Sequence, residues 1–106
     1  MSGFDQREKG FEKKYEHDQM FEFKVNARRN KLLGLWAAEQ LGLLGSEADA
    51  YAKQVVQSDF EKPGDSDVLA KVLGDLKGKG IETSEHRVRK QMGELLAVAR
   101  QQLGTE

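Results

Sequence analysis

Residues 19–42 have the sequence QMFEFKVNARRNKLLGLWAAEQLG. At about 100° per residue, the apolar side chains of this stretch form two stripes on nearly opposite sides of a helix. One stripe comprises Met20, Phe23, Ala27, Gly34, Ala38 and Leu41, and the other comprises Phe21, Val25, Leu32, Trp36 and, directly after the stretch, Leu43. Because a helix that is apolar on two sides needs neighbours on both, the pattern predicts the central helix of a bundle.

Three further helices are predicted downstream. The second begins at Ser46, whose hydroxyl is expected to cap it, and ends before Pro63, the only proline of the chain. The third begins near Asp65 or Ser66 and ends at Gly78 or Gly80, and the fourth begins after Ser84. Their apolar residues recur three and four apart, no window alternates with the period of a strand, and the links are short. The sequence therefore predicts an all-α fold, a four-helix bundle over residues 19–106.

Composition limits the class of protein. The 106 residues suffice for one domain, and 17 Lys and Arg against 18 Asp and Glu leave a net charge of -1. That balance argues against nucleic-acid binding, and the short apolar runs argue against membrane insertion. The chain has no cysteine. With no apolar leader visible at the N-terminus, the cytoplasm is the expected location.

Residues 1–18 form a segment of different character. Nine of the fifteen residues from position 4 to position 18 are charged. Phe4, Phe11 and Tyr15 nevertheless lie within about 40° on a helical wheel, in line with neither stripe of the following helix. Such a segment either docks on its own bundle, remains a solvated tail, or folds as a helix in the groove of a partner, with its aromatic residues as anchors.

The sequence gives little support for catalysis or for metal binding. The two histidines, His17 and His86, are far apart and have no second ligand at helical spacing, so no metal site is predicted. No set of nucleophile, base and orienting residue is visible, so no enzyme is predicted. Two basic clusters, residues 28–31 and 87–90, are expected to be solvated faces paired with carboxylates. If they met on one face, they would hold a phosphate or an acidic partner surface.

Three stretches carry a resemblance to a known family. They are the opening motif Phe4-Asp5-x-Arg7-Glu8-Lys9-x-Phe11-Glu12, the pair His17-Asp18, and residues 23–39, FKxxARRNKLLGLWAAE. Together they resemble the zeta subunit, an ATPase inhibitor of the F-type ATP synthase of alphaproteobacteria. The likeness covers essentially the whole chain.

The resemblance implies a four-helix bundle with a mobile N-terminal inhibitory arm, here residues 1–18. In the family the arm inserts at a catalytic interface between the alpha and beta subunits of the synthase head, reaches the gamma subunit and blocks rotation in the direction of ATP hydrolysis. The protein would be monomeric when free and would be bound peripherally at the inner membrane through the synthase. The residues expected to contact the head are Phe4, Asp5, Arg7, Glu8, Lys9, Phe11, Glu12 and Tyr15.

The polar string inside the central helix needs its own explanation, because a core is not expected to require it. Docking against the head and weak binding of ATP or ADP are the two roles considered, with no cofactor otherwise expected. The residues of this second candidate site are Arg28, Arg29, Asn30 and Lys31. A nucleotide- or anion-binding bundle and a structural or assembly factor of the synthase are the alternatives to an inhibitor.

Overall fold

The computed structural model describes the backbone of residues 2–59 and 65–104 and the side chains of residues 19–59 and 65–104. Four helices make up this part of the chain, and no strand occurs in it. They are α1 (Ser2–Gln40), α2 (Ser46–Ser58), α3 (Ser66–Gly78) and α4 (Glu85–Gly104). The predicted all-α, four-helix architecture is confirmed.

Helix α1 is central, as its two apolar stripes predict. It contacts each of the other three helices, whereas α2 and α4 contact α3 but not each other within the described residues. The molecule measures 66 × 25 × 22 Å. Its long dimension follows from α1, since 39 residues at about 1.5 Å each give a helix of about 58 Å.

The core lies between α1 and the other three helices and includes the apolar residues that the helical spacing selects. Leu33, Val55, Val72 and Val88, one from each helix, are fully buried. The other members of the cluster are Ala37, Ala38, Tyr51, Val68, Leu69, Leu76 and Met92. Trp36, Leu73 and Leu95 pack against this cluster while remaining partly exposed.

Two of the helices end at a glycine in the left-handed region. Gly42 has φ +80°, and the N–H of Leu43 donates to the carbonyl of Ala38 at 2.9 Å. Gly80 has φ +81°, and the N–H of Ile81 donates to the carbonyl of Leu76 at 3.0 Å. This is the Schellman arrangement, for which glycine is preferred because it has no Cβ to clash. Helices α1 and α3 therefore stop where the sequence predicts.

The N-terminal caps follow the sequence only in part. Ser84 Oγ accepts a hydrogen bond from the N–H of Arg87 at 3.2 Å and so caps α4. Helix α2 begins at Ser46 as predicted, but the capping role expected for Ser46 is wrong. Gly45 is the N-cap residue, because its carbonyl already accepts from the N–H of Asp49, and no side chain caps this helix.

Candidate functional site

The N-terminal arm, residues 1–18, is continuous with the bundle through α1, which begins at Ser2. Among the side chains that the structure describes, from residue 19 onward, the first to be buried is Val25. About 23 residues of helix, or about 35 Å, therefore precede the first described core position. The predicted contact residues of the arm lie outside the described side chains, and their role stays a prediction: Phe4, Asp5, Arg7, Glu8, Lys9, Phe11, Glu12 and Tyr15.

The polar string of α1 is divided between the core and the surface. Arg29 is 2% exposed, Asn30 is fully buried, Arg28 is half-buried and Lys31 is exposed. The expectation that these polar residues lie outside the core is therefore wrong for Arg29 and Asn30, which are both part of the buried interior. Their role in nucleotide binding or docking stays a prediction.

Arg29 is held from two sides. Its Nε donates to Asn30 Oδ1 at 2.8 Å, and its terminal nitrogen donates to Asp65 Oδ1 at 2.7 Å. Asp65 is the residue before α3, so this pair ties α1 to the start of α3. The side chain of Asp65 is 56% exposed, so the carboxylate reaches inward from the surface to neutralise a buried cation. Among the described residues, Asn30 Nδ2 has no hydrogen-bond partner.

The two basic clusters of the sequence do approach each other, but only through one arginine each. Arg29 and Arg89 line a small cavity of about 180 Å³, together with Asp65 and the apolar surface of α4. Arg29 is paired with Asp65, and Arg89 donates to Glu85 at 3.0 Å. Because each cation has its own carboxylate, the cavity is close to neutral and does not favour an anion.

The remaining polar cluster of the core links α2 to α3. Tyr51 donates to Asp75 Oδ2 at 2.8 Å, and Lys71 donates to the same oxygen at 3.1 Å. The Lys71 ammonium also lies 5.3 Å from the centre of the Tyr51 ring. Burial, with the hydrogen bond and the charge of Asp75, raises the pKa of the Tyr51 phenol well above its usual value of about 10. A phenol that keeps its proton in this way is a structural donor.

An exposed apolar surface on α1 was not predicted. Met20 and Phe23 are 61% and 60% exposed, although both belong to a stripe that the sequence assigns to a helix–helix contact. The missing signal is the extent of the neighbours: α2 ends at Ser58 and covers only the later part of the stripe, where Gly34 meets Ala52. Phe23 and Ala27 line a cavity of about 520 Å³ with Val56 and Leu103.

Within the described residues, no group of three or more His, Asp or Glu side chains is placed to bind a metal ion. No helix of the same part of the chain is long and apolar enough to cross a membrane.

Comparison with known proteins identifies the family of this chain, which the geometry alone does not. A family model described as ATPase inhibitor subunit zeta matches residues 1–102. The chain belongs to this family. The family's name denotes an inhibitory subunit of an ATPase, which is a regulatory role rather than a catalytic one. The match begins at residue 1, so it includes the arm as well as the bundle.

A solved structure supports the fold of the family member. A protein whose structure was determined in solution by NMR is 55% identical to this chain. The alignment covers 78% of this chain and 94% of the other, with a TM-score of 0.69. A comparison with curated proteins finds no match.

Proposed function

We propose that this protein inhibits the F-type ATP synthase through its N-terminal arm. The arm, residues 1–18, inserts as a helix at a catalytic interface between an alpha and a beta subunit of the synthase head. It reaches the gamma subunit there and blocks rotation in the direction of ATP hydrolysis. The bundle, residues 19–106, carries the arm, and the protein is held peripherally at the cytoplasmic side of the inner membrane through the synthase.

The observation that carries the proposal is the helix that runs ahead of the core. Helix α1 begins at Ser2, and its first buried residue among the described side chains is Val25. An inhibitor that works by obstruction needs a stiff element that enters an interface, and a helix has its backbone hydrogen bonds satisfied before it binds. The family match over residues 1–102 supports the same role for the arm.

The aromatic and the charged residues of the arm have different roles in the proposed complex. Phe4, Phe11 and Tyr15 are the apolar anchors, since they share one side of a helix. The charged residues around them pair with charges on the head and set the register of the helix. They are Arg7, Glu8, Lys9, Glu12, Lys13 and Lys14.

The test is a titration of ATP hydrolysis by the cognate synthase head. Removing a buried aromatic anchor commonly costs about 2 kcal/mol, or roughly a thirtyfold loss of affinity. Phe11→Ala should therefore raise the concentration needed for half-inhibition by roughly that factor. Leu44→Ala is the control, because Leu44 is 81% exposed and lies in the link between α1 and α2, far from the arm. Equal inhibition by Phe11→Ala and the wild type would refute the role of the arm residue.

A nucleotide- or anion-binding bundle is the weaker alternative, because Arg29 and Arg89 are each paired with a carboxylate. An assembly factor differs from an inhibitor in its genetic consequence: its loss would lower the amount of synthase, whereas loss of an inhibitor would raise ATP hydrolysis.

A further inference from the structure

An ion pair joins α1 to α4 close to the point where the arm meets the bundle. Arg100 Nη2 donates to Glu22 Oε2 at 3.1 Å, and both side chains are about half exposed. Among the side-chain hydrogen bonds and ion pairs of the described residues, this contact lies nearest the arm, because Glu22 stands only a few positions after residue 18. We refer to Glu22 and Arg100 as the α1–α4 pair.

A second contact between the same two helices lies further into the bundle. Arg28 Nη1 donates to Gln102 Oε1 at 3.0 Å. Both contacts use the last turns of α4, which ends at Gly104. Val25 and Ala99, which lie close in sequence to the members of the α1–α4 pair, are fully buried. The end of α4 therefore packs against the part of α1 from which the arm extends.

The α1–α4 pair differs in kind from the other exposed Arg–Glu pair of the described residues. Arg89 and Glu85 are four residues apart on α4, so their contact stabilises the helix that contains both of them. Glu22 and Arg100 are 78 residues apart and lie on different helices. Their contact therefore restrains the direction of α1 relative to α4.

The length of α1 before Glu22 amplifies a change in that direction. Helix α1 begins at Ser2, and the roughly 20 residues that precede Glu22 span about 30 Å. A tilt of about 10° at Glu22 would move the far end of such a helix by about 5 Å, which exceeds the length of a hydrogen bond. A helix that is directed before it binds also loses less freedom on binding, so its affinity is higher.

We propose that Arg100 is a positioning residue for the inhibitory arm, because its ion pair with Glu22 holds the direction in which α1 leaves the bundle. This inference rests on the proposed function and deepens it. Arg100 acts on inhibition through Glu22 and not through a contact of its own with the ATPase. The pairing of opposite charges is therefore required, and either residue can carry either charge.

The first part of the experiment measures inhibition of ATP hydrolysis by the cognate synthase head, with full-length chains. The variants are Arg100→Glu, Glu22→Arg and the double variant with both changes, which reverses the pair. Arg89→Glu is the matched control, because the Arg89–Glu85 pair has the same residue types, a distance of 3.0 Å and similar exposure but lies within one helix. Thermal unfolding establishes that each variant keeps its bundle.

The second part measures the direction of the arm in the absence of the ATPase. The chain has no cysteine, so two spin labels can be attached at chosen positions. The labels are introduced through Gln6→Cys in the arm and Gly93→Cys on α4, where a Cβ atom meets nothing within 4 Å. Pulsed dipolar spectroscopy then gives the distribution of distances between the two labels for the wild-type pair and for each variant.

Both measurements should respond to the pairing of the charges. Each single reversal should raise the concentration for half-inhibition about three- to tenfold, since an exposed ion pair is worth up to about fivefold and the like charges then repel. The double variant should return to within about twofold of the wild type, and Arg89→Glu should inhibit as the wild type does. The label distances should spread in the single variants and narrow again in the double variant.

Three outcomes overturn the proposal. If the single variants inhibit like the wild type, the pair does not position the arm. If the double variant is as weak as the single variants, Glu22 and Arg100 act through separate contacts. If the label distances do not change in the single variants, a loss of inhibition does not come from the direction of the arm.

Failure of the proposed function has a different result. In that case the wild-type chain itself does not inhibit the ATPase. The distance distributions of the free chain then decide alone whether the α1–α4 pair directs the arm, because they are measured without the ATPase.

Discussion

Gly34 sets the distance between α1 and α2. A Cβ atom at this position would lie 2.5 Å from the Cα atom of Ala52, and backbone cannot move aside as a flexible side chain can. The sequence shows a glycine in the apolar stripe of a predicted helix, but nothing in one chain says which helix approaches it. The contact could therefore not be predicted, whereas the burial of the stripe around it could.

Gly34→Ala should destabilise the protein despite the better helix propensity of alanine. Overpacking of this kind typically costs about 1 to 3 kcal/mol. Gly93→Ala in α4 is the matched control, because a Cβ at Gly93 meets nothing within 4 Å and the change should be neutral or stabilising by up to about 1 kcal/mol. Urea unfolding followed by circular dichroism measures both. Equal stability of the two variants would show that the helices can separate without cost.

Arg29 shows why composition misleads at single positions. A run of Arg, Arg, Asn and Lys is typical of a surface, yet Arg29 and Asn30 are buried. The helical wheel places Arg29 between Val25 and Leu33, which are both buried, so the periodicity did contain this information. Its partner Asp65 is 36 residues away in the chain, so no local sequence pattern predicts the ion pair.

Asp65→Asn should destabilise the protein, because it leaves the Arg29 cation buried without its counter-charge. We expect a loss of about 1 to 2 kcal/mol, at the lower end for charged hydrogen bonds since Asp65 is more than half exposed. The control is Glu22→Gln, which removes one side of the Glu22–Arg100 pair at the surface and should cost less than about 1 kcal/mol. Thermal unfolding of the two variants compares them, and a smaller loss for Asp65→Asn than for Glu22→Gln would contradict the account.

Among the helices, the boundaries follow local chemistry while the contacts between them do not. The Schellman ends at Gly42 and Gly80 and the cap at Ser84 involve neighbouring residues, so the sequence predicts where α1 and α3 end and where α4 begins. The start of α1 differs, because the apolar pattern predicts a helix from residue 19 and the helix begins at Ser2. The prediction that Ser46 caps α2 is wrong, because Gly45 occupies the N-cap position one residue earlier. The link from Tyr51 in α2 to Asp75 in α3 is long-range and was not predicted.

The Tyr51–Asp75 contact should make stability depend on pH in the alkaline range. The pKa of the Tyr51 phenol is raised in the folded state. As pH rises, the unfolded chain therefore releases the phenol proton near pH 10, before the folded chain does. The unfolded state then binds fewer protons than the folded state, and the free energy of unfolding falls as pH rises through about 10. Tyr51→Phe should cost about 1 kcal/mol at neutral pH, and its stability should decline less steeply above pH 9. Urea titrations of both proteins at pH 7 to 11 test this, and parallel declines would refute it.

At the scale of the molecule, α1 joins the core of the bundle to a helical stretch that precedes it. Its later half forms the centre of the bundle, and its first half runs ahead of the described core. The sequence predicts the bundle because apolar periodicity reports burial, and the family resemblance predicts the inhibitory role. The exposed apolar surface at Met20 and Phe23 could not be predicted, because it depends on where the neighbouring helices stop relative to α1. The same stripe is covered at Gly34 and open at Met20.

The most direct test of the account is ATP hydrolysis by the purified cognate synthase head, with the full-length protein and with a chain that lacks residues 1–18. Circular dichroism and thermal unfolding establish beforehand that the shortened chain keeps its bundle, as expected from a core that begins at Val25 among the described residues. The account predicts that the full-length protein inhibits hydrolysis and that the shortened chain does not. Equal inhibition by both would contradict it and would place the inhibitory activity in the bundle.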